Sequence, residues 1–312
     1  MILTVTPNPL LDFVLLSPRI PQPGGKRLDK LPFTVGGKGI NVARMLKTLG
    51  RPALALTFAG GANGIKIVKA LQDQGISFDL VETLSETRAG INLVVEEPNY
   101  HTWWIENGED LQKFEVDKML EKIGALKAGS SFIALSGTIP GRRNDDFYLK
   151  VLEECRDFRG EIYLDARGAP LKAACKAGGF FLKHNRDEAI ETFALDPFAD
   201  ADQSAFFRLL EKMRIWGAMI TNGKGDVLLW DNDKIRRLKP APAKEVSAVG
   251  CGDAALAGFL YGRAQGLSLF ESAAWGLAAG AADAEHSGPC EATFSEVEEK
   301  LKLLDFFSFE HY

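Results

Sequence analysis

Val249-Gly250-Cys251-Gly252-Asp253-Ala254-Ala255 stands at the head of a small-residue run, Asp253 to Gln265, that reads as a helix. Two glycines around one small residue let backbone N–H groups converge without side-chain obstruction. At a helix N-terminus those amides and the helix dipole attract an anion. Asp253, in the first turn, sets a carboxylate beside that anion site. Such a carboxylate can take a proton from a hydroxyl nucleophile while the amides hold the charge of a transferring phosphoryl group. The same stretch also reads as an Asp-capped helix after a glycine turn, so alone it leaves both readings open.

A second stretch near the other end, Gly36-Gly37-Lys38-Gly39-Ile40-Asn41, again joins a glycine turn, a cation and a helix start. Val42, Leu46 and Leu49 continue it as one apolar helix face. Gly36 and Gly37 let backbone amides approach sugar hydroxyls, and Asn41 can both donate and accept. The stretch is neither a Walker A loop nor a dinucleotide-binding glycine fingerprint. Two glycine-rich helix starts, one with Lys38 and one with Asp253, suggest two ends of one cleft.

Between them the chain alternates short apolar strands with helical patterns. Ile2–Val5, Phe13–Leu16, Leu54–Phe58, Phe132–Leu135, Ile162–Leu164, Phe180–Leu182 and Ala218–Ile220 read as strands. Leu269–Asp283 and Phe294–Leu304 complete a helical last third. This rhythm predicts βαβ units and a mostly parallel sheet. Ile91–Val95 and Tyr100–Glu106, across a Pro98-Asn99 turn, read as a separate hairpin. Pro18 and the proline- and glycine-rich residues after it mark a loop. The alanine- and glycine-rich positions of the last helices read as close packing.

Composition narrows the function. The 312 residues carry a net charge of -5, which disfavours a nucleic-acid partner but leaves room for a local cationic pocket. Cys155, Cys175, Cys251 and Cys290 form no CxxC pair, and the four histidines show no HExxH pattern, so no metal-ligand cluster is expected. The opening MILTVTPNPLLD lacks the pattern of a signal peptide, and no apolar run reaches membrane-span length. A cytoplasmic enzyme is the expectation.

The combination of GGKGxN and GxGD resembles the ribokinase-like, or PfkB, family of carbohydrate kinases, across essentially the whole chain. The resemblance implies a three-layer α/β/α domain with a mostly parallel sheet and a small β lid. A single domain over 1–312 is expected, with the lid drawn from about 12–36 and 88–107; open lid edges invite a homodimer. By the same resemblance Asp253 is the catalytic base and Gly250, Cys251 and Gly252 form the anion hole. ATP is the co-substrate. Lys183, Asn185, Thr221, Gly223 and Gly225 fall on the nucleotide, and Asn185 and Glu188 act on Mg²⁺ through water. Asp12, Gly36, Gly37 and Asn41 hold the sugar.

Further motifs are similar to the 1-phosphofructokinase and tagatose-6-phosphate kinase branch: Leu3 to Asp12, Lys26-Arg27, Glu86-Thr87-Arg88 and Ser136-Gly137-Thr138-Ile139-Pro140. This implies ATP-dependent phosphorylation of a sugar phosphate, with Arg27, Lys38, Arg88, Ser136 and Gly137 on its phosphate; arginine's planar fork suits that group. Cys251 stands where Ala or Ser is usual, His184 where Pro is common, and Arg167 where a small hydroxyl residue is common. Arg167 is read as a structural ion pair, with an extra contact to a nucleotide phosphate as the alternative, and Arg142 as a surface residue or a further substrate cation. The alternatives are a kinase of an unphosphorylated sugar or nucleoside, an inactive sugar or nucleotide sensor, and a Cys251 nucleophile. The last lacks an activating histidine in any nearby motif.

Overall fold

The computed structural model describes residues 1–304 apart from 22, 23, 25, 26, 98 and 99. Lys26 and the expected Pro98-Asn99 turn therefore lie outside the described residues. The chain opens with β1 (Ile2–Thr6), β2 (Leu10–Arg19), β3 (Phe33–Gly36), α1 (Lys38–Thr48), β4 (Leu54–Ala59), α2 (Gly61–Asp73) and β5 (Phe78–Glu82). It continues with β6 (Ala89–Glu97), β7 (Tyr100–Ile105), α3 (Lys113–Lys127), β8 (Phe132–Ser136), α4 (Phe147–Glu154), β9 (Glu161–Asp165) and α5 (Gly168–Ala174). The remainder is β10 (Phe181–Asn185), α6 (Arg186–Phe193), α7 (Asp200–Lys212), β11 (Gly217–Thr221), β12 (Val227–Trp230), β13 (Ile235–Leu238), α8 (Cys251–Ala264), α9 (Leu269–Asp283) and α10 (Phe294–Lys302).

Among the described residues a nine-stranded sheet runs β13-β12-β11-β10-β9-β8-β1-β4-β5. The pairs from β11 through β5 are parallel, and β12 and β13 add an antiparallel edge. Strand residues alternate between two apolar clusters. Leu3, Val5, Ile133, Leu135, Leu182 and Ile220 face the side of α3, α4 and α7. Ala134, Phe181 and Met219 face α1, α8 and α9. A sheet buried on both faces between helices is the three-layer α/β/α arrangement that the resemblance implied.

A second sheet, β3-β2-β6-β7, stands apart. Its central pair, β2 with β6, is parallel, which a simple hairpin reading does not foresee. The β6–β7 hairpin itself pairs Ile91 with Trp104 and Asn92 with Trp103. β2 is longer than its apolar core suggested and runs through Pro18. Pro18 is tolerated because β3 pairs β2 only from Leu10 to Phe13, leaving that edge open beyond. The β12–β13 hairpin is also absent from the sequence reading: its four-residue strands are too short to show a period.

The chain leaves β1 for β4 and β5 on one side, then returns to β8 and proceeds outward on the other. The carboxyl ends of β1 and β8 thus border the crevice where such sheets bind ligands. α8 is seated over this region by an aromatic triad. Tyr163, Phe181 and Phe259 have ring centroids 4.9 to 5.8 Å apart. Its other flank packs on α9 so closely that a Cβ at Gly258 would lie 2.4 Å from the Trp275 carbonyl oxygen and 2.8 Å from Ala279 Cβ. In an open helix, Gly→Ala stabilises. Here Gly258→Ala is expected to destabilise by about 1–3 kcal/mol, the cost of overpacking, and the sign of the change in a urea unfolding midpoint is the check.

Candidate active site

Gly250 caps α8 with φ +88°, a left-handed conformation that a side chain would strain. A Cβ there would also lie 2.5 Å from Pro289 Cβ. The first N–H groups of α8 have no partners within the helix and point out from its end. Behind them, the buried Asp283 carboxylate accepts N–H bonds from Cys290 at 3.0 Å and Glu291 at 2.9 Å. Asp283 thereby folds the 284–292 loop back against the Gly250 turn. The sequence reading missed it, since an acid at a helix C-terminus carries no motif.

Asp253 is buried in the first turn of α8. Its Oδ2 accepts a 2.8 Å bond from Asn41 Nδ2 on α1. The two glycine-rich helix starts therefore meet directly. Burial foremost, against the nearby Lys38 and with Asp165 adding its negative charge, pushes the Asp253 carboxyl up to about 6.

Lys38 donates to Asp165 Oδ1 at 2.6 Å and to Glu188 Oε1 at 3.2 Å. Burial opposes the ammonium, but Asp165, Glu188 and Asp253 outweigh it and hold the Lys38 pKa above its usual value. Lys183 Nζ lies 3.7 Å from Asp165 Oδ2, and both side chains are almost wholly enclosed. Asp165, at the carboxyl end of β9, joins the two lysines and is the site residue that sequence reasoning overlooked. Its position at the end of a parallel strand was the available signal.

Asn185 and Glu188 cap α6 reciprocally. Asn185 Oδ1 accepts from the Glu188 N–H at 2.8 Å, and Glu188 Oε2 accepts from the Asn185 N–H at 3.0 Å. Burial opposes the Glu188 charge, yet Lys38, Lys183 and the Asn185 N–H bring its pKa down to about 2. Among the described residues no group of three or more His, Cys, Asp or Glu side chains could hold a metal. A fully protein-caged ion does not fit here. A Mg²⁺ carried by phosphates and water does, because Glu188 stays ionised beside Lys38 and Asp165 Oδ2 is buried without a hydrogen bond.

Two cavities border the N-terminus of α8, one at Val249 and the other at Cys251 and Gly252. One, about 540 Å³, lies beneath the four-stranded sheet and is lined by Asp12, Asn92, His101, Arg44 and Val249 among others. The buried Asp12 accepts from Asn92 Nδ2, while its Oδ1 has no hydrogen bond. The other cavity, about 600 Å³, is lined by Lys183, Asn185, Thr221, Gly223, Cys251 and Gly252. Gly276, Gly280 and Ala281 also form its wall, so part of the small-residue content of α9 shapes a cavity and does not serve packing alone. Gly225 closes the neighbouring turn through a 2.8 Å bond to the Asn222 carbonyl.

Gly37 starts α1 beside Thr6, and Gly36 pairs with Leu10. Ser136 ends β8 with its buried Oγ unpartnered, and the Gly137 N–H donates to the Asp165 carbonyl at 2.9 Å. The three cations expected to converge are not gathered in one cavity. Arg27 is exposed. Arg88 donates to the carbonyls of Asn8 at 3.0 Å and of Pro9 and Glu106 at 3.3 Å, in a separate small crevice. Burial, against the pull of Asp12, brings it down to about 10. Lys38 is already committed to carboxylates. Arg142 is exposed, with its backbone N–H on Asp110. Arg167 pairs with Glu191 at 3.2 Å, as read from the sequence. Buried His184 contacts the Ala166 carbonyl at 2.7 Å, a structural role that the usual proline does not fill.

The model for the pfkB family of carbohydrate kinases matches residues 9–295. The chain belongs to that family. It is a kinase that transfers phosphate to a hydroxyl, with ATP as co-substrate. It is 29% identical over 304 residues to an ATP-dependent 6-phosphofructokinase isozyme 2 of Mycobacterium tuberculosis, covering 97% of this chain and 89% of that one. It is 28% identical over 302 residues to a 1-phosphofructokinase of Borreliella burgdorferi, covering 96% of each. The crystal structure of Escherichia coli phosphofructokinase-2 in complex with fructose-6-phosphate matches with TM-score 0.87 and 25% identity, over 97% of this chain and 98% of that one.

The surroundings of Cys251 work against a thiolate nucleophile. Burial first, then Asp283 and Glu245, push its thiol up to about 12, so it stays protonated despite the helix N-terminus. Cys251→Ala is expected to keep turnover in a coupled ADP-release assay, where a covalent thiol mechanism would lose it.

Proposed function

We propose that the kinase phosphorylates a hydroxyl of a sugar that already carries a phosphate, with Asp253 as general base. The observation that carries this reading is the N-terminus of α8, set between the cavity beneath the small sheet and the cavity at Lys183 and Thr221. In this reading a hydroxyl from the first cavity and a nucleotide in the second meet at that turn, whose first helical residues carry Asp253. The phosphofructokinase relatives favour a sugar phosphate as acceptor.

In this reading Asp253 takes the hydroxyl proton onto its carboxylate as the acceptor oxygen bonds to the γ-phosphorus. The P–O bond to ADP breaks, and its electron pair stays on ADP. The N–H groups of Gly250, Cys251 and Gly252 donate to the phosphoryl oxygens as charge shifts among them. Lys38, kept charged by its carboxylates, and Lys183 add positive charge at the same place. Asp12, Gly36, Gly37 and Asn41 hold the sugar, and the free Asp12 Oδ1 is suited to a hydroxyl. Ser136 Oγ, the Gly137 region and Arg88 attract its phosphate; Arg27 reaches it only if its exposed loop moves. Thr221, Gly223 and Gly225 border the nucleotide. Asn185 and Glu188 would meet water on a Mg²⁺ that neutralises the nucleotide phosphates.

The four-stranded sheet serves as a lid over the single kinase domain in this reading. Exposed Leu16, Ile91, Trp103 and Trp104 on that sheet support a homodimer formed through it. A related Escherichia coli phosphofructokinase-2 has a tetrameric inhibited form. Four free thiols suit a reducing compartment such as the cytoplasm, and no helix among the described residues is long and apolar enough to cross a membrane.

Arg88, bound to three backbone carbonyls, is the observation favouring a second reading, in which the acceptor is an unphosphorylated sugar. ATP-coupled turnover on fructose 6-phosphate, fructose 1-phosphate, tagatose 6-phosphate, free hexoses and nucleosides decides. The highest kcat/KM is expected on a sugar phosphate; preference for a free hexose overturns that assignment. Trp103→Asp with Trp104→Asp should shift a dimer to monomer in light scattering.

Asp253→Asn is expected to lower kcat by roughly 10²–10⁴-fold with ATP affinity little changed. The base works only when deprotonated, so its form is present above about pH 6 and lost below. On the acidic side kcat/KM should therefore fall about tenfold per pH unit. Full turnover in the asparagine variant overturns the assignment.

A further inference from the structure

Asn41 donates to Asp253 through its amide nitrogen, but an amide has two chemically opposite ends. If it turned over, an oxygen would face the Asp253 carboxylate and the contact would become repulsive. Arg44, one turn along α1, holds the amide against that flip from its oxygen end. Its Nη1 donates to Asn41 Oδ1 at 2.6 Å. A guanidinium has donors and no acceptor, so only the oxygen of Asn41 can face it. The amide nitrogen is then left for Asp253 Oδ2, 2.8 Å away.

We propose that Arg44 is a positioning residue: by fixing the orientation of the Asn41 amide it holds a donor on the base Asp253. The inference rests on the reading of Asp253 as base only for its kinetic consequence, not for its structural one. Arg44 is itself locked. Nη2 donates to the Val35 carbonyl at 2.7 Å and Nε to Gln74 Oε1 at 3.0 Å. These anchors come from the end of β3 and the end of α2, so the guanidinium plane cannot rotate to release Asn41. Arg44 itself also lines the cavity beneath the small sheet.

A hydrogen bond donated to a carboxylate favours its charged form. The Asn41 bond acts on Asp253 in that direction, together with Lys38 and Lys183, against burial and Asp165. The other groups facing the pair are Cys290 from the loop after α9, Cys251 from α8 itself, and Glu291 and Asp283, which face Arg44. Arg44 thus reaches Asp253 in two ways: through Asn41, and directly as a positive charge. The proposal is that the first route dominates.

Carboxyl titration separates them without relying on turnover. Wild-type protein and variants carry ¹³C at aspartate Cγ, with the Asp253 resonance assigned by its loss in Asp253→Asn. In Arg44→Met the Asp253 midpoint should rise by about one pH unit or more, the size expected when a carboxylate loses a donor. Arg44→Gln, which can donate or accept and so no longer dictates the amide's orientation, should rise similarly and serves if the methionine variant does not fold. Arg44→Lys, a donor only, should restore most of the wild-type value. In an Asn41→Ala background, Arg44→Met should move the midpoint no further. An equal rise with and without Asn41 overturns the proposal in favour of the direct charge, and no rise in any variant overturns it outright. The acid limb of kcat/KM should follow the same displacement. Movement of the resonance without the limb leaves Arg44's role intact and counts against Asp253 as base.

Discussion

Three carboxylates and two ammonium groups share one enclosed corner of this protein, and their mutual compensation constrains everything around it. Lys38 bridges Asp165 and Glu188, and Lys183 stands behind Asp165. Each charge would be costly to bury alone and becomes tolerable when paired and hydrogen-bonded. The balance is uneven. Glu188 is brought down to about 2 by the lysines, while burial pushes Asp253 up to about 6. One carboxylate fixed as an anion and another poised to take a proton is the division of labour that proton transfer needs.

That corner exists only because distant parts of the chain end together. Lys38 comes from the start of α1, Asp165 from the end of β9, Lys183 from β10, Glu188 from α6 and Asp253 from α8. All five sit at the carboxyl-end side of a parallel sheet, where helix N-termini also open. The topological switch beside β1 leaves the crevice, and the aromatic triad under α8 fixes where the anion-binding amides lie across it. A shift of α8 on the sheet would separate Asp253 from Asn41, so packing far from the site sets the geometry of the proposed base.

The sequence revealed those features that backbone geometry restricts to few residue types. Gly250 and Gly37 were legible because a left-handed cap and a close approach to Thr6 exclude side chains. The alternation of apolar strands with helices was legible because both faces of the sheet are buried. Asp165, Asp283 and Arg44 were not, since each is an ordinary residue on an ordinary element whose partners lie far along the chain. The expected gathering of Arg27, Lys38 and Arg88 failed for a related reason. A cation's charge can be read from sequence, but not whether it is already spent: Lys38 is engaged by carboxylates and Arg88 by carbonyls.

Asn185 and Glu188 show how one motif can carry a structural role beside a proposed functional one. Their side chains close a reciprocal cap on α6, which needs no nucleotide. The cap uses one Glu188 oxygen and leaves the other to Lys38. It therefore fixes the carboxylate's position and, through Lys38 and Lys183, its charge before any ligand arrives. A group meant to meet the water around a phosphate-bound cation gains from such preorganisation, because nothing has to be ordered at the moment of binding. Asn41 is held likewise, its amide bonded by Arg44 from within its own helix. In both places local helix chemistry has prepared a polar group whose task is non-local, so the stability of the helix start and the readiness of the site are a single property.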